Sequence, residues 1–131
     1  MTDKRYSVLL VDDEPVIRKM FSRLLEMSNL DVVTAADGLE GEARALSLHP
    51  DVIILDLMLP KKNGYEVCAT LKQHPQTQQI PIIIFSAKEE PGDYERCLKL
   101  GASAYISKTQ SPQVLIEEVK AWASGQKRGA A

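Results

Sequence analysis

Five short apolar runs recur along the chain, at residues 7–11, 32–35, 52–55, 82–85 and 104–106. Runs this short and this rich in β-branched residues read as strands buried on both faces. Between them the apolar period changes. Ile17, Met20, Phe21, Leu24 and Leu25 recur at the spacing of one helix face. Leu39, Ala43 and Leu46 do so in a second helix, and Val67, Cys68 and Leu71 in a third. A fourth helix, around residues 94–100, ends at Gly101, a residue suited to a left-handed cap. A fifth carries Leu115, Val119 and Trp122 inward, with Ser111 as N-cap and Pro112 at the first helical position. Ile116, Lys120 and Ala123 then share its outward stripe, which makes Ile116 a candidate partner or dimer contact.

Five strand–helix pairs predict an α/β fold: one five-stranded parallel sheet with helices on both faces and right-handed crossovers. The first, third and fourth runs are the most apolar and belong at the centre. The second, with Asp31 before it and Thr34 inside it, suits an edge. That favours the flavodoxin-like strand order 2-1-3-4-5. Residues 1–124 are expected to form one domain and 125–131 a short flexible tail.

Composition narrows the class. The chain has 131 residues, 44% hydrophobic and 26% charged, with a net charge of −2. No segment approaches the ~20 apolar residues of a membrane span, and the polar start lacks a signal-peptide core, so a cytoplasmic protein is expected. Basic residues form no run longer than a pair, as at Lys127-Arg128 in the tail, so direct nucleic-acid binding is not expected. Cys68 and Cys97 are isolated, fall on helix stripes and lack ligand spacing with His49 or His74. They read as reduced core residues.

The chemistry sits where the runs end. Asp12 and Asp13 follow the first, Asp56 the third, Ser86 the fourth and Lys108 the fifth. In an open parallel sheet the carboxyl ends of the strands gather the ligand, so these five side chains would meet at one edge. Taken alone, Asp12-Asp13-Glu14-Pro15 reads equally well as the acidic start of a helix. Asp56 is harder to dismiss, because it ends the most apolar run and no helix follows it directly. Three carboxylates together repel unless a cation sits among them, and Mg²⁺ suits hard oxygen ligands that share a shell with phosphate. A hydroxyl and an ammonium opposite would take two phosphoryl oxygens, and a carboxylate nucleophile would give an acyl phosphate.

These motifs resemble the receiver domain of bacterial two-component response regulators. They are Val8-Leu9-Leu10-Val11-Asp12-Asp13-Glu14, then Asp56-Leu57-Met58-Leu59-Pro60-Lys61-Lys62-Asn63-Gly64, then Phe85-Ser86-Ala87, then Gly101-Ala102 leading to Tyr105 and Lys108. The resemblance implies that Asp56 accepts phosphate from a histidine of a sensor kinase or phosphotransfer protein. It implies Mg²⁺ held by Asp12, Asp13, Asp56 and the backbone carbonyl of Met58, with Ser86 and Lys108 on the phosphoryl group. Ser86 and Tyr105 would be the switch pair, moving the face of helix 4, strand 5 and helix 5. A downstream protein target follows, and a homodimer on phosphorylation is a further expectation. No output domain follows in sequence, so a stand-alone switch is expected.

Thr109 departs from the family, where a proline, often cis, follows the lysine. A non-proline cis bond costs ~3–4 kcal/mol, so the loop is either strained or trans. Met58 offers no side-chain hydrogen bond to water and is expected to shield an acyl phosphate, while Lys88 places positive charge nearby. Two other classes compete. An aspartate phosphatase would need a second acid where Met58 stands and a cap domain. A phosphate-independent receiver-like scaffold would lose the acids or the lysine, and here only Thr109 favours it.

Overall fold

In the computed structural model, which describes residues 5–87 and 90–127, the runs become β1 (Tyr6–Val11), β2 (Leu30–Ala35), β3 (Val52–Leu55), β4 (Ile82–Ser86) and β5 (Ala104–Ser107). All neighbours pair in parallel, in the order β2-β1-β3-β4-β5. The flavodoxin-like order and the edge position of β2 are as expected. Five helices alternate with the strands: α1 (Pro15–Met27), α2 (Gly38–Leu48), α3 (Gly64–Gln73), α4 (Asp93–Lys99) and α5 (Pro112–Ala123).

Strand alternation divides the core in two. Val52 and Ile54 of β3 pack with Phe21 and Leu25 of α1 and Leu115 and Val119 of α5. Ile53 and Leu55 pack with Val67, Cys68 and Leu71 of α3 and Cys97 of α4. All four β3 residues are fully buried, which explains why the run shows no polar alternation. Each such side chain contributes roughly 1.5–3 kcal/mol by leaving water. Both thiols are buried, and burial pushes the Cys68 thiol up to about 11.

The helix ends are specified locally. Asp37 accepts the Glu40 amide at 2.8 Å to start α2. Asn63 and Glu66 form a reciprocal capping box on α3. Gly101, at φ 105°, follows α4, and the Ala102 amide reaches back to Cys97 O at 3.0 Å. Ser111 and Pro112 occupy the expected first positions of α5, although the serine side chain makes no capping bond.

Three expected faces differ. Leu39 is 54% exposed and Ala43 is exposed, whereas Gly38, Gly41 and Ala45 are the buried residues of α2. The cause is close approach. A Cβ at Gly38 would meet the Lys62 carbonyl oxygen at 1.8 Å, and one at Gly41 would meet Val11 Cγ1 at 2.9 Å. Leucine does not fit such a seam. Met20, at 43% exposure, lies beside the α1 stripe that Phe21 and Leu25 bury. Ile116 is buried among the residues between α5 and the sheet, and Ala123 packs against them, so the expected outward stripe is not there. The buried arc of α5 is wide enough to take Leu115 and Ile116 together.

The chain stays against α5 as far as Lys127, whose amide bonds Ala121 O at 3.1 Å and whose ammonium pairs with Glu118. The rest of the expected tail, residues 128–131, lies outside the described residues. Among the described residues no helix is long and apolar enough to cross a membrane.

The close α2 seam is testable against an open glycine. Gly38→Ala should lower unfolding free energy in urea by about 3 kcal/mol, because backbone must move. Gly92→Ala, at φ 90° with nothing within 4 Å of a new Cβ, should cost only about 1 kcal/mol of backbone strain. Equal costs would contradict the packing described.

Candidate functional site

Parallel pairing brings the strand ends to one edge. Val11 stands opposite Leu55, and the Asp56 amide donates to Val11 O at 3.0 Å, so Asp12 and Asp56 leave the sheet side by side. Asp12 is 1% exposed and Asp56 3%, while Asp13 faces solvent. One carboxylate oxygen from each of Asp12, Asp13 and Asp56 lies within 4.8 Å of the others. At such separations a pair of like charges repels by about 3–4 kcal/mol at an effective dielectric near 20.

Lys108 supplies the opposing charge. Its Nζ lies 2.7 Å from Asp12 Oδ2, 3.0 Å from Asp56 Oδ2 and 3.5 Å from Glu14 Oε1. The lysine is delivered by β5, where Ser107 pairs with Ser86 and the Lys108 amide donates to Ser86 O at 3.0 Å. Among the described residues no peptide bond is cis, so of the two expected paths after Lys108 the chain takes the trans one. Thr109 turns the loop instead through the Ser107 hydroxyl, which lies 2.8 Å from its own and accepts its amide at 3.1 Å.

The charges are out of balance. Burial pushes the Asp12 carboxyl above its ordinary value, and Asp56 adds to the push, against the Lys108 contact and the Glu14 amide. Burial disfavours the Lys108 ammonium, but the hydrogen bond and charge of Asp12 and the charge of Asp56 outweigh it and raise its pKa. Three carboxylates and one ammonium leave two net negative charges. Asp12 Oδ2 is buried, with the Lys108 ammonium 2.7 Å away as its one close partner among the described residues. A hard-oxygen set with that charge and a lone pair to spare fits a small divalent cation such as Mg²⁺.

Capping does not account for these acids. The N-cap of α1 is Glu14, whose side chain makes no capping bond, and Asp12 Oδ1 accepts the Glu14 amide at 2.9 Å ahead of the helix. Ser86 is fully buried at the end of β4. Tyr105, opposite Ile84 in β5, is half-buried and stands edge-to-face with Tyr94 of α4, centroids 6.3 Å apart. Met58 is 64% exposed, and its amide donates to Asp56 Oδ1 at 3.3 Å. It rims a cleft of about 570 Å³ together with Asp13, Leu59, Tyr65 and Arg96. Lys88 lies outside the described residues.

Other contributors were not singled out from sequence. Arg18 Nη1 donates to Asp12 O at 2.8 Å and fixes the strand end. Its signal was its place one turn after Glu14, at the start of α1. Tyr65 Oη donates to the buried Asp93 at 2.5 Å, with Arg96 3.7 Å above the ring, tying α3 to α4.

A doubly wound parallel sheet with an acidic pocket and one lysine at its carboxyl edge defines a class of α/β domain. A family model described as the response regulator receiver domain matches residues 8–120. The chain belongs to that family. It is 44% identical over 114 residues to the Bacillus subtilis alkaline phosphatase synthesis transcriptional regulatory protein PhoP, covering 87% of this chain and 47% of that protein. It is 37% identical over 116 residues to the Brucella ovis polar-differentiation response regulator DivK, covering 88% of this chain and 94% of DivK. The chemotaxis response regulator CheY4 of Vibrio cholerae superposes with a TM-score of 0.84 at 30% identity, over 91% of this chain and 99% of that one. The chain thus spans about half the length of PhoP and nearly all of DivK. Receiver-domain relatives are signalling switches of two-component systems, in which phosphorylation and Mg²⁺ binding are typical.

The raised Asp12 carboxyl has a stability consequence. A carboxyl whose folded pKa exceeds its unfolded value, ordinarily 3.8, stabilises the fold fully below that value and loses this as pH rises through the folded pKa. Asp12→Asn fixes a neutral side chain there. It should raise the melting temperature of metal-free protein at pH 7.5, with the gain shrinking towards pH 4. A lower melting temperature at pH 7.5 would contradict the charge imbalance.

Proposed function

We propose that the chain is a phosphoacceptor switch, with Asp56 taking a phosphoryl group from a histidine of a sensor kinase or phosphotransfer protein. The observation that carries this is the Lys108 ammonium, placed 2.7 Å from Asp12 and 3.0 Å from Asp56 amid three clustered carboxylates. An Asp56 oxygen attacks phosphorus as the N–P bond breaks, and the bonding pair returns to the imidazole nitrogen. Lys108 exchanges its contact with Asp56 for a phosphoryl oxygen, and Ser86 offers its hydroxyl to another. Asp12, Asp13, Asp56 and the Met58 carbonyl would hold Mg²⁺, which when bound neutralises charge on the phosphoryl oxygens.

The switch runs through β4 and β5. Drawing Ser86 towards the phosphoryl group opens space behind it, and Tyr105 turns inward, exchanging its edge-to-face contact with Tyr94. The α4, β5 and α5 face then changes for a downstream protein or a second copy. Phosphate acts by its greater affinity for the switched form. Exposed Met58 shields the acyl phosphate from water. The protein is a cytoplasmic signalling switch that turns over no substrate beyond its own phosphorylation and dephosphorylation.

The alternative, a phosphate-independent scaffold, rests on Thr109, yet with Thr109 next in the chain Lys108 still lies 2.7 Å from Asp12 and 3.0 Å from Asp56. Intact mass after incubation with acetyl phosphate, with and without Mg²⁺ and beside Asp56→Asn, separates the two. One added phosphoryl group that requires both Mg²⁺ and Asp56 is expected. No addition under any condition would favour the scaffold.

A further inference from the structure

The loop after Asp56 is held in a backbone shape that its own sequence does not favour. The Lys62 amide donates to Pro60 O at 2.8 Å across Lys61, whose φ is 68°. A three-residue turn with positive φ at a central non-glycine residue is rare and strained, and persists only where the surroundings over-determine it. Two side chains do so. Lys62 Nζ lies 2.6 Å from Glu42 Oε2 of α2 and donates to Thr70 Oγ1 of α3 at 2.8 Å. Lys61 Nζ lies 3.4 Å from Asp37 Oδ2 at the start of α2. The main chain adds two ties, Gly38 N to Pro60 O at 3.3 Å and Gly64 N to Leu57 O at 3.0 Å.

The Lys62 contact is the tightest of these and is shielded, with side-chain exposures of 25% for Lys62 and 15% for Glu42. Glu42 Oε2 is buried and takes no directed hydrogen bond, so the ammonium is what compensates it. The clamp therefore fixes the main chain of residues 57–60 from outside the acidic pocket. That segment carries the Met58 carbonyl, proposed above as a metal ligand.

We infer that Lys62 is a positioning residue for the metal: by bridging Glu42 and Thr70 it holds the Met58 main chain in the shape that Mg²⁺ binding requires. The inference rests on the proposed function, since it needs a cation among Asp12, Asp13 and Asp56. Without the clamp, the strained turn relaxes into several shapes, and Mg²⁺ must select one of them at a cost in affinity.

The sign separates positioning from simple charge. Removing a nearby positive charge would tighten Mg²⁺ binding by Coulomb's law, whereas losing the clamp weakens it. Calorimetric titration of the full chain with MgCl₂ reads the dissociation constant without any phosphoryl transfer. Lys62→Met, and the charge-balanced Lys62→Met with Glu42→Gln, should weaken binding roughly 3- to 10-fold, less than the 10- to 100-fold typical of partners that touch a ligand directly, because Lys62 acts through the main chain. Lys62→Arg, able to bridge both partners, should leave the constant as it is in the unsubstituted protein. Thr70→Val, a mild change that keeps the ion pair, should weaken binding about 2-fold and guards against misfolding of the stronger variants. An unchanged or tighter constant in the charge-balanced variant and in Thr70→Val would overturn the inference alone. If the unsubstituted protein took up no Mg²⁺, the metal reading of the site would fall, and this inference with it.

Discussion

Like charges crowd the carboxyl edge of this sheet, and the rest of the site depends on how they are held. Two of the three carboxylates are buried, which water alone would not favour. They stay because strand pairing places them there and Lys108 stands between them. Three carboxylates against one ammonium leave the pocket two charges short of neutral, and that deficit is what a divalent cation would meet. Stability is given up at this edge, against a core in which β3 is buried on both sides.

The fold supplies this geometry through the sheet more than through the loops. Each central strand is fixed by apolar packing above and below, so the residue after its last apolar position has little freedom. Arg18 and the Asp56 amide fix the first and third strand ends further. The β5 end is fixed by the Lys108 amide on Ser86 O, which is why replacing the family's proline with Thr109 leaves the ammonium within reach of both carboxylates. The segment after Asp56 lies outside the sheet, and there main-chain ties to Gly38 and Gly64 are joined by side-chain contacts from Lys62 to α2 and α3.

Strands and their order were legible because two-sided burial leaves a plain mark: a short apolar run with a polar residue after it. Asp12, Asp56 and Lys108 were legible for the same reason, each being the residue after a run. The α2 face was not, because close helix packing selects small residues, and the more apolar Leu39 is pushed outward. Ile116 misled because a single stripe was assumed where the helix buries a wide arc. The Lys62–Glu42, Arg18–Asp12 and Tyr94–Tyr105 contacts depend on where side chains end, which the spacing of residues along the chain does not report.

If a cation meets the two uncompensated negative charges of the acidic edge, it must stabilise the folded protein. Thermal unfolding with and without Mg²⁺, for the unsubstituted protein and Asp13→Asn, addresses it most directly. Saturating Mg²⁺ should stabilise the unsubstituted protein by about 2.7 kcal/mol at a hundred times its dissociation constant, read as a melting temperature several degrees higher. Asp13→Asn, which removes one proposed ligand without disturbing the buried pair, should lose most of that gain. A melting temperature that ignores Mg²⁺, or the same rise in both proteins, would contradict the account.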